Sequence, residues 1–189
     1  MLRLKLRKAG LSYSKSISSK RRRNSNLAFI ALGSNKGERI SYLRKAVSNL
    51  RNNSKIDLTT SSSVYETKPY GNLKQTNFLN AVIQIKTSFS LAKLFEYLKQ
   101  LEFKLGREET TKWGPREIDL DILFFNDTII KDQNLTVPHY GIQDRDFVLV
   151  PLNEIAPDLF HPVLKQKISD ICTEDISKNI IRKTRLKIN

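Results

Sequence analysis

The chain of 189 residues has a single cysteine, so an internal disulfide is excluded and a reducing compartment is expected. The sequence around Cys172 offers no paired base, which favours a small buried side chain over a catalytic thiol. No apolar run approaches the ~18 residues needed to cross a bilayer, and the first 26 residues lack the apolar segment of a secretory signal. We therefore expect a soluble, cytoplasmic protein without a membrane partner.

Acidic residues are absent from both ends of the chain. Residues 1–26 contain nine Lys or Arg and residues 178–189 contain five. Since the formal net charge is +14, residues 27–177 carry no net charge, and the basic charge belongs to the ends. We predict a disordered basic extension over 1–26, a domain over 27–165 and a C-terminal extension with a basic tail over 166–189. The first segment suits a disordered tail, translation from an upstream start or a mitochondrial transit peptide, which would make the protein mitochondrial.

The order of apolar patterns predicts an α+β fold. Strands are expected over 27–32, 56–65 and 78–87 and from Asp119 onward, with helices over 38–50, 91–105 and about 144–155. The order βαββαβ with C-terminal additions favours a ferredoxin-like sandwich, in which helices cover one face of a mostly antiparallel sheet. Two long loops, 66–77 and 107–117, exceed the length of simple connections, and such loops are often functional.

Asp119 and Asp121 alternate with apolar residues in a segment typical of a strand. Because strand side chains point to alternate faces, the two carboxylates share one side, about 6 to 7 Å apart at Cα. The opposite, core-facing side is predicted to hold Ile118, Leu120, Ile122 and Phe124. Two adjacent acids near apolar surface favour a bound cation, and Mg²⁺ suits carboxylates and substrate phosphates. A strand with solvated acids is the alternative interpretation.

Arg116 strengthens the interpretation of a phosphate site. It follows the turn-forming pair Gly114 and Pro115 and lies three residues before Asp119. A planar guanidinium binds phosphate through two parallel hydrogen bonds. The acids and this arginine together predict a phosphate-binding site that a metal ion completes.

Seven segments, in this order, resemble the 6-hydroxymethyl-7,8-dihydropterin pyrophosphokinase family over about residues 27 to 165. They are LGSN (32–35), SVYET (63–67), NFLNA (77–81), LGR (105–107), WGPR (113–116), DLD (119–121) and VPHY (137–140). The resemblance implies transfer of a pyrophosphoryl group from ATP to the hydroxymethyl group of a reduced pterin, releasing AMP, in folate biosynthesis. It also implies two Mg²⁺ ions and a monomer.

The resemblance assigns roles to individual residues. It implies that the catalytic residues are Arg107, Arg116, Asp119 and Asp121, the two aspartates being the magnesium ligands. It places at the ATP Glu102, Trp113, Ile122, Thr136, His139, Tyr140 and Arg145. It places at the pterin Thr67, Tyr70, Gly71, Phe78, Asn80 and Phe147. A flat heterocycle suits the two phenylalanines as stacking partners and the amide of Asn80 as a reader of the ring edge.

Several of these residues have a structural alternative. Phe78 and Phe147 would also suit core packing, and Glu102 would suit a helix surface. A lone histidine such as His139 is often structural.

Four residues depart from the family pattern: Phe78 stands where a tyrosine is frequent, Lys68 replaces a common proline, and the other two are Glu109 and Lys112. Glu109 stands where a basic residue is frequent and Lys112 replaces a frequent arginine, which predicts weaker attraction for ATP.

Two other functions compete with this interpretation. A ferredoxin-like RNA-binding module would place aromatic and basic residues on the sheet, whereas Asp119 and Asp121 would repel phosphate without a metal. We therefore expect no nucleic-acid partner. The second alternative is another nucleotidyl or glycosyl transferase that uses a D-x-D motif, and it differs in its products.

Overall fold

The computed structural model describes residues 25–71, 74–108, 114–173 and 176–188. In chain order, the elements are β1 (Asn26–Ser34), α1 (Arg39–Arg51), β2 (Ile56–Ser61), β3 (Tyr65–Thr67), β4 (Phe78–Thr87), α2 (Leu91–Lys104), β5 (Asp119–Phe125), β6 (Ile130–Lys131), β7 (Thr136–Val137), α3 (Asp146–Ile155), β8 (Phe160–His161), β9 (Gln166–Lys167), α4 (Ile168–Ile171) and β10 (Ile180–Lys183). None of the helices in these ranges is long and apolar enough to cross a membrane.

The main sheet has six strands with antiparallel pairing throughout, and its order is β10-β3-β4-β1-β5. Strands β2 and β3 pair with the same edge of β4: β3 pairs with residues 78–80 and β2 with residues 83–87. The single strand predicted over 56–65 is wrong, because it is divided into β2 and β3. Between β2 and β3, the hydroxyl of Ser62 accepts a hydrogen bond from the backbone N–H of Val82. This side-chain hydrogen bond competes with the backbone hydrogen bonds of regular strand pairing.

Helices cover both faces of the sheet, so the prediction of one covered face is wrong. Helices α1 and α2 pack against one face through Leu43, Leu50, Leu94 and Leu98, all fully buried. Helix α3 packs against the opposite face, where Leu149 and Leu152 join a cluster with Phe29, Val82 and Phe124. Helix α2 begins as predicted, since the hydroxyl of Ser90 accepts a hydrogen bond from the N–H of Lys93 at 3.4 Å.

A β-bulge interrupts β5. Ile122 pairs with Ile30 and Phe124 pairs with Phe29, which leaves Leu123 as an extra residue. The bulge turns Phe124 to the face of the two acids, where it packs edge-on against Phe29 with ring centroids 6.2 Å apart. Phe124 was predicted on the opposite, core-facing side, and this is wrong. Phe125 takes that place.

Residues 180–183, near the end of the described chain, belong to the sheet. Strand β10 pairs with β3 at the edge. The buried carboxylate of Asp146, at the start of α3, accepts hydrogen bonds from the N–H groups of Asn179 at 2.5 Å and Ile180 at 3.1 Å. The segment predicted as a C-terminal extension therefore contributes a strand to the fold.

Candidate active site

A cleft of about 450 Å³ opens on the sheet face that carries Asp119 and Asp121, beside the start of α3. Its volume lies within the range of roughly 300 to 1,000 Å³ that is typical of ligand pockets. The predicted site residues that line it are Thr67, Tyr70, Phe78, Asn80, Arg116, Asp119, Asp121, Ile122, Thr136, His139, Tyr140, Arg145 and Phe147. One cleft therefore brings together residues from both predicted binding sites.

Three predicted site residues that the structure describes do not line this cleft, namely Gly71, Glu102 and Arg107. Gly71 is the last residue of the described range 25–71 and has a positive φ of 81°. Glu102 and Arg107 lie behind Asp119 and contact each other at 2.6 Å. Trp113 lies outside the described residues, as do Glu109 and Lys112.

Asp119 is held by two arginines. Arg107 donates to one carboxylate oxygen at 2.8 Å, and Arg116 donates to the other at 2.5 Å. Burial raises the pKa of Asp119, but the positive charges of Arg116, Arg107 and Lys99 outweigh burial and hold the pKa below its usual value. The carboxylate is therefore ionised at neutral pH, although it lies deep in the cleft.

Asp121 is the more open acid of the pair. Its side chain is 37% exposed, and Lys99 lies 3.6 Å from its nearer oxygen. Asp121 and Asp119 lie opposite Ala31 and Gly33 of β1, which confirms that both acids face the same side of the sheet. Asp121 can therefore offer oxygen atoms to a cation in the cleft.

Glu102 supports the acids from behind. It is only 3% exposed, so the alternative of a helix-surface acid is wrong. Its carboxylate accepts a hydrogen bond from the N–H of Leu120 at 2.6 Å and pairs with Lys99 and Arg107 at 3.0 and 2.6 Å. Burial raises the pKa of Glu102 against the attraction of these two cations. Its position fits a support for β5 rather than a direct contact with ATP.

Lys99 was not predicted as a site residue, although it lines the cleft and contacts Asp121, Glu102 and the carbonyl oxygen of Leu120. Its signal was the spacing of three residues from Glu102, which places the two side chains on one helix face. Two further features were not predicted: Asn35, which holds the backbone of Arg116 through two hydrogen bonds, and the segment 132–135, which lines the cleft beside Thr136. Nothing in the sequence around 132–135 indicated that role.

The other end of the cleft suits a flat ring. The side-chain amide of Asn80 donates to the hydroxyl of Thr67 at 2.8 Å, which fixes its orientation. A Cβ atom on Gly33 would lie 2.9 Å from the amide oxygen of Asn80, so glycine permits this close approach. The rings of Tyr70 and Phe147 lie 5.9 Å apart and are tilted by 58°. The amide and the aromatic rings can read the edge and the faces of a heterocycle.

A third wall carries His139, Tyr140 and Arg145. The rings of His139 and Tyr140 stack at 4.6 Å, and the guanidinium of Arg145 lies 5.1 Å from the centre of the Tyr140 ring. Burial lowers the pKa of His139, so its imidazole is neutral at pH 7. Because Nδ1 accepts a hydrogen bond from the N–H of Gly141, Nε2 carries the proton. This wall can donate hydrogen bonds to an anion.

The cleft on this antiparallel sheet has ion-paired acids and arginines at one end and aromatic rings with an amide at the other. A protein with this site can hold a phosphorylated ligand beside a flat ring. The family model of 7,8-dihydro-6-hydroxymethylpterin-pyrophosphokinase matches residues 29–157. The chain belongs to this family.

Curated relatives agree with this result. The chain is 42% identical over 150 residues to the 2-amino-4-hydroxy-6-hydroxymethyldihydropteridine pyrophosphokinase of Aquifex aeolicus. This alignment covers 79% of this chain and 92% of the relative. It is 48% identical over 131 residues to the enzyme of the same name from Bacillus subtilis. That alignment covers 69% of this chain and 78% of the relative.

A solved structure shows the same fold. The crystal structure of wild-type Plasmodium falciparum HPPK-DHPS aligns with a TM-score of 0.60 at 17% identity. The alignment covers 78% of this chain and 44% of that chain. At this identity, the likeness concerns the fold alone.

Proposed function

We propose that the protein transfers a pyrophosphoryl group from ATP to the hydroxymethyl group of 6-hydroxymethyl-7,8-dihydropterin and releases AMP, in the biosynthesis of folates. The observation that carries this proposal is one cleft with the acid and arginine cluster at one end and the Asn80 amide with aromatic rings at the other. This arrangement suits a reaction that joins a phosphate donor to an alcohol on a flat ring. We further propose that the enzyme acts as a monomer in the cytoplasm.

The core of the fold is proposed to be ferredoxin-like. Strands β2, β4, β1 and β5 are neighbours in that order, and the two helices that follow β1 and β4 pack on the same face. Helix α3 on the opposite face and the edge strand β10 are then additions to this core. The additions matter for function, because α3 supplies Phe147 to the cleft.

Two Mg²⁺ ions are proposed to bind at Asp119 and Asp121. Within the described ranges, no group of three or more His, Cys, Asp or Glu side chains could hold a metal ion. The two carboxylates of Asp119 and Asp121 are sufficient for Mg²⁺, which is commonly bound through one or two carboxylates while water and substrate phosphates complete its shell. When bound, Mg²⁺ would neutralise phosphate charge between the substrate and the acids.

The protein's own part of the reaction is positioning and charge complementarity, since phosphoryl-type transfer asks for little covalent chemistry. Arg116 uses one N–H to hold Asp119 and lines the cleft, so its other N–H groups can donate to a phosphate. Arg107 fixes Asp119 from behind. The Nε2–H of His139 and the guanidinium of Arg145 supply further donors on the third wall.

Product analysis tests the proposed function. The full chain is incubated with ATP, Mg²⁺ and 6-hydroxymethyl-7,8-dihydropterin, and the nucleotide products are separated. We expect AMP and pyrophosphorylated pterin in equal amounts, and no turnover when EDTA replaces Mg²⁺. Formation of ADP, or of free pyrophosphate instead of pyrophosphorylated pterin, would assign the cleft to another transferase reaction.

Asn80→Ala is expected to raise the KM for the pterin about 10- to 100-fold. The substitution removes an amide that presents a donor and an acceptor from one buried, fixed position. A partner group left unpaired on the ligand costs about 1 to 3 kcal/mol. Steady-state kinetics at saturating ATP measure the effect, with Asn49→Ala, a half-buried residue of α1 that does not line the cleft, as the control. An unchanged KM would move the pterin to another part of the cleft.

A further inference from the structure

Asn35 lies directly after β1 and between the two long loops of the site. Its side chain is buried, with 2% of the residue exposed. One loop contributes Gln75 and Thr76, and the other contributes Arg116. These loops belong to opposite ends of the cleft, because the first leads into Phe78 of β4 and the second leads into Asp119 of β5.

Two hydrogen bonds join Asn35 to Arg116. The N–H of Asn35 donates to the carbonyl oxygen of Arg116 at 3.0 Å. The N–H of Arg116 donates to the side-chain oxygen of Asn35 at 2.8 Å. Arg116 is therefore fixed at its backbone by Asn35 and at its guanidinium by Asp119.

Three hydrogen bonds join Asn35 to the pterin-side loop. The side-chain NH₂ of Asn35 donates to the side-chain oxygen of Gln75 at 3.0 Å and to the carbonyl oxygen of Thr76 at 3.3 Å. The hydroxyl of Thr76 donates to the carbonyl oxygen of Asn35. Gln75 itself lines the cleft.

The same turn holds the second loop at two more points. Lys36, the next residue, pairs with Glu117 at 2.5 Å and with Glu108 at 2.8 Å. The main-chain and side-chain groups of Asn35 are thus engaged on both sides, and a displacement of either loop must break bonds at this buried residue. Leaving a buried polar group unpaired is costly, so the positions of Gln75 and Thr76 depend on the position of Arg116.

We propose that Asn35 is a positioning residue that couples occupation of the pterin end of the cleft to the placement of Arg116 at the phosphate end. This inference rests on the proposed function. Its consequence is a reciprocal free-energy coupling, in which bound nucleotide strengthens pterin binding and bound pterin strengthens nucleotide binding by the same factor. Asn35 does not itself line the cleft and acts through its hydrogen bonds to Gln75, Thr76 and Arg116.

The coupling is measured by calorimetry with 6-hydroxymethyl-7,8-dihydropterin, in the absence and presence of saturating Mg²⁺ and an ATP analogue with a methylene bridge between the α- and β-phosphates. For the native chain, we expect the nucleotide analogue to lower the Kd of the pterin at least about fivefold. In Asn35→Ala, the ratio of the two Kd values is expected to fall below about two. Thr76→Val, which alters an exposed residue and so preserves folding, is expected to reduce the ratio as well.

Thr87→Val is the control for lost stability. The Thr87 hydroxyl is buried at the far end of β4, where it donates to the carbonyl oxygen of Lys55 at 2.8 Å, and it touches neither loop. This variant is expected to melt earlier and to keep the native coupling. The inference is overturned if Asn35→Ala and Thr76→Val keep native coupling, or if Thr87→Val loses it equally. Binding without coupling in the native chain overturns this inference alone, whereas absence of pterin binding overturns the proposed function as well.

Discussion

Asp121→Ala is expected to lower kcat about 10³-fold at saturating ATP and pterin. Asp121 is the open acid of the pair, with Lys99 3.6 Å from its nearer oxygen, so its oxygens are more available to Mg²⁺ than those of Asp119, which are both held by arginines. Metal ions supply several kcal/mol of transition-state charge stabilisation, and ~4 kcal/mol corresponds to about three powers of ten in rate. The measurement is the rate of AMP formation as a function of Mg²⁺ concentration.

The stability of Asp121→Ala should remain close to native, which separates a catalytic role from a structural one. The side chain is partly exposed, and removal of a negative charge beside Asp119 also relieves repulsion. Asp121→Asn keeps the shape and loses the charge, and we expect nearly the same loss of rate. Asp127→Asn alters an exposed acid just beyond β5 and is expected to leave the rate unchanged. Near-native kcat in Asp121→Ala at ordinary Mg²⁺ would refute the assignment of this residue as a metal ligand.

Strand periodicity was sufficient to place Asp119 and Asp121 on one face. It failed for Phe124, because the bulge at Leu123 lies in the run Leu-Phe-Phe, where every residue is apolar. In such a run, a shift of one residue leaves no mark on the pattern, although it reverses every side chain beyond it. The pattern therefore located the acids and misplaced the aromatic ring packed beside them.

The second face of the sheet was missed for a related reason. A helix was predicted near 144–155, but the position of a helix in the sequence does not say which face of the sheet the helix covers. That choice depends on Val82 and Phe124, which come from two different strands. The helix matters for the site, because Phe147 faces the cleft from its first turn.

Asn35 and Lys99 show why some residues of the site could not be predicted from the sequence. Asn35 meets partners 40 and 81 positions away in the chain, and such pairings follow from topology rather than from local sequence. The resemblance included Asn35 in the segment LGSN without giving it a role. Lys99 carried a local signal through Glu102, but that signal describes an ion pair on a helix and not its position beneath Asp121.

Glu102→Ala is expected to lower the free energy of unfolding by about 3 kcal/mol, a large part of the 5 to 15 kcal/mol that is typical of a domain. The substitution leaves the N–H of Leu120 without its acceptor and removes the buried counter-charge of Lys99 and Arg107. We place the loss at the lower end of the range for a broken buried ion pair, because both cations remain partly exposed and solvent can screen them.

Helix α2 contains its own control for this effect. Glu96 pairs with Lys93 at 2.7 Å with the same three-residue spacing, but both side chains are more than half exposed. Glu96→Ala is therefore expected to cost less than about 1 kcal/mol. Urea unfolding of the two variants measures the difference, and Glu102→Gln, which retains an acceptor for Leu120, should fall between them. If Glu102→Ala costs no more than Glu96→Ala, the carboxylate does not support β5, and Asp119 and Asp121 must be held in place by the arginines and Lys99 alone.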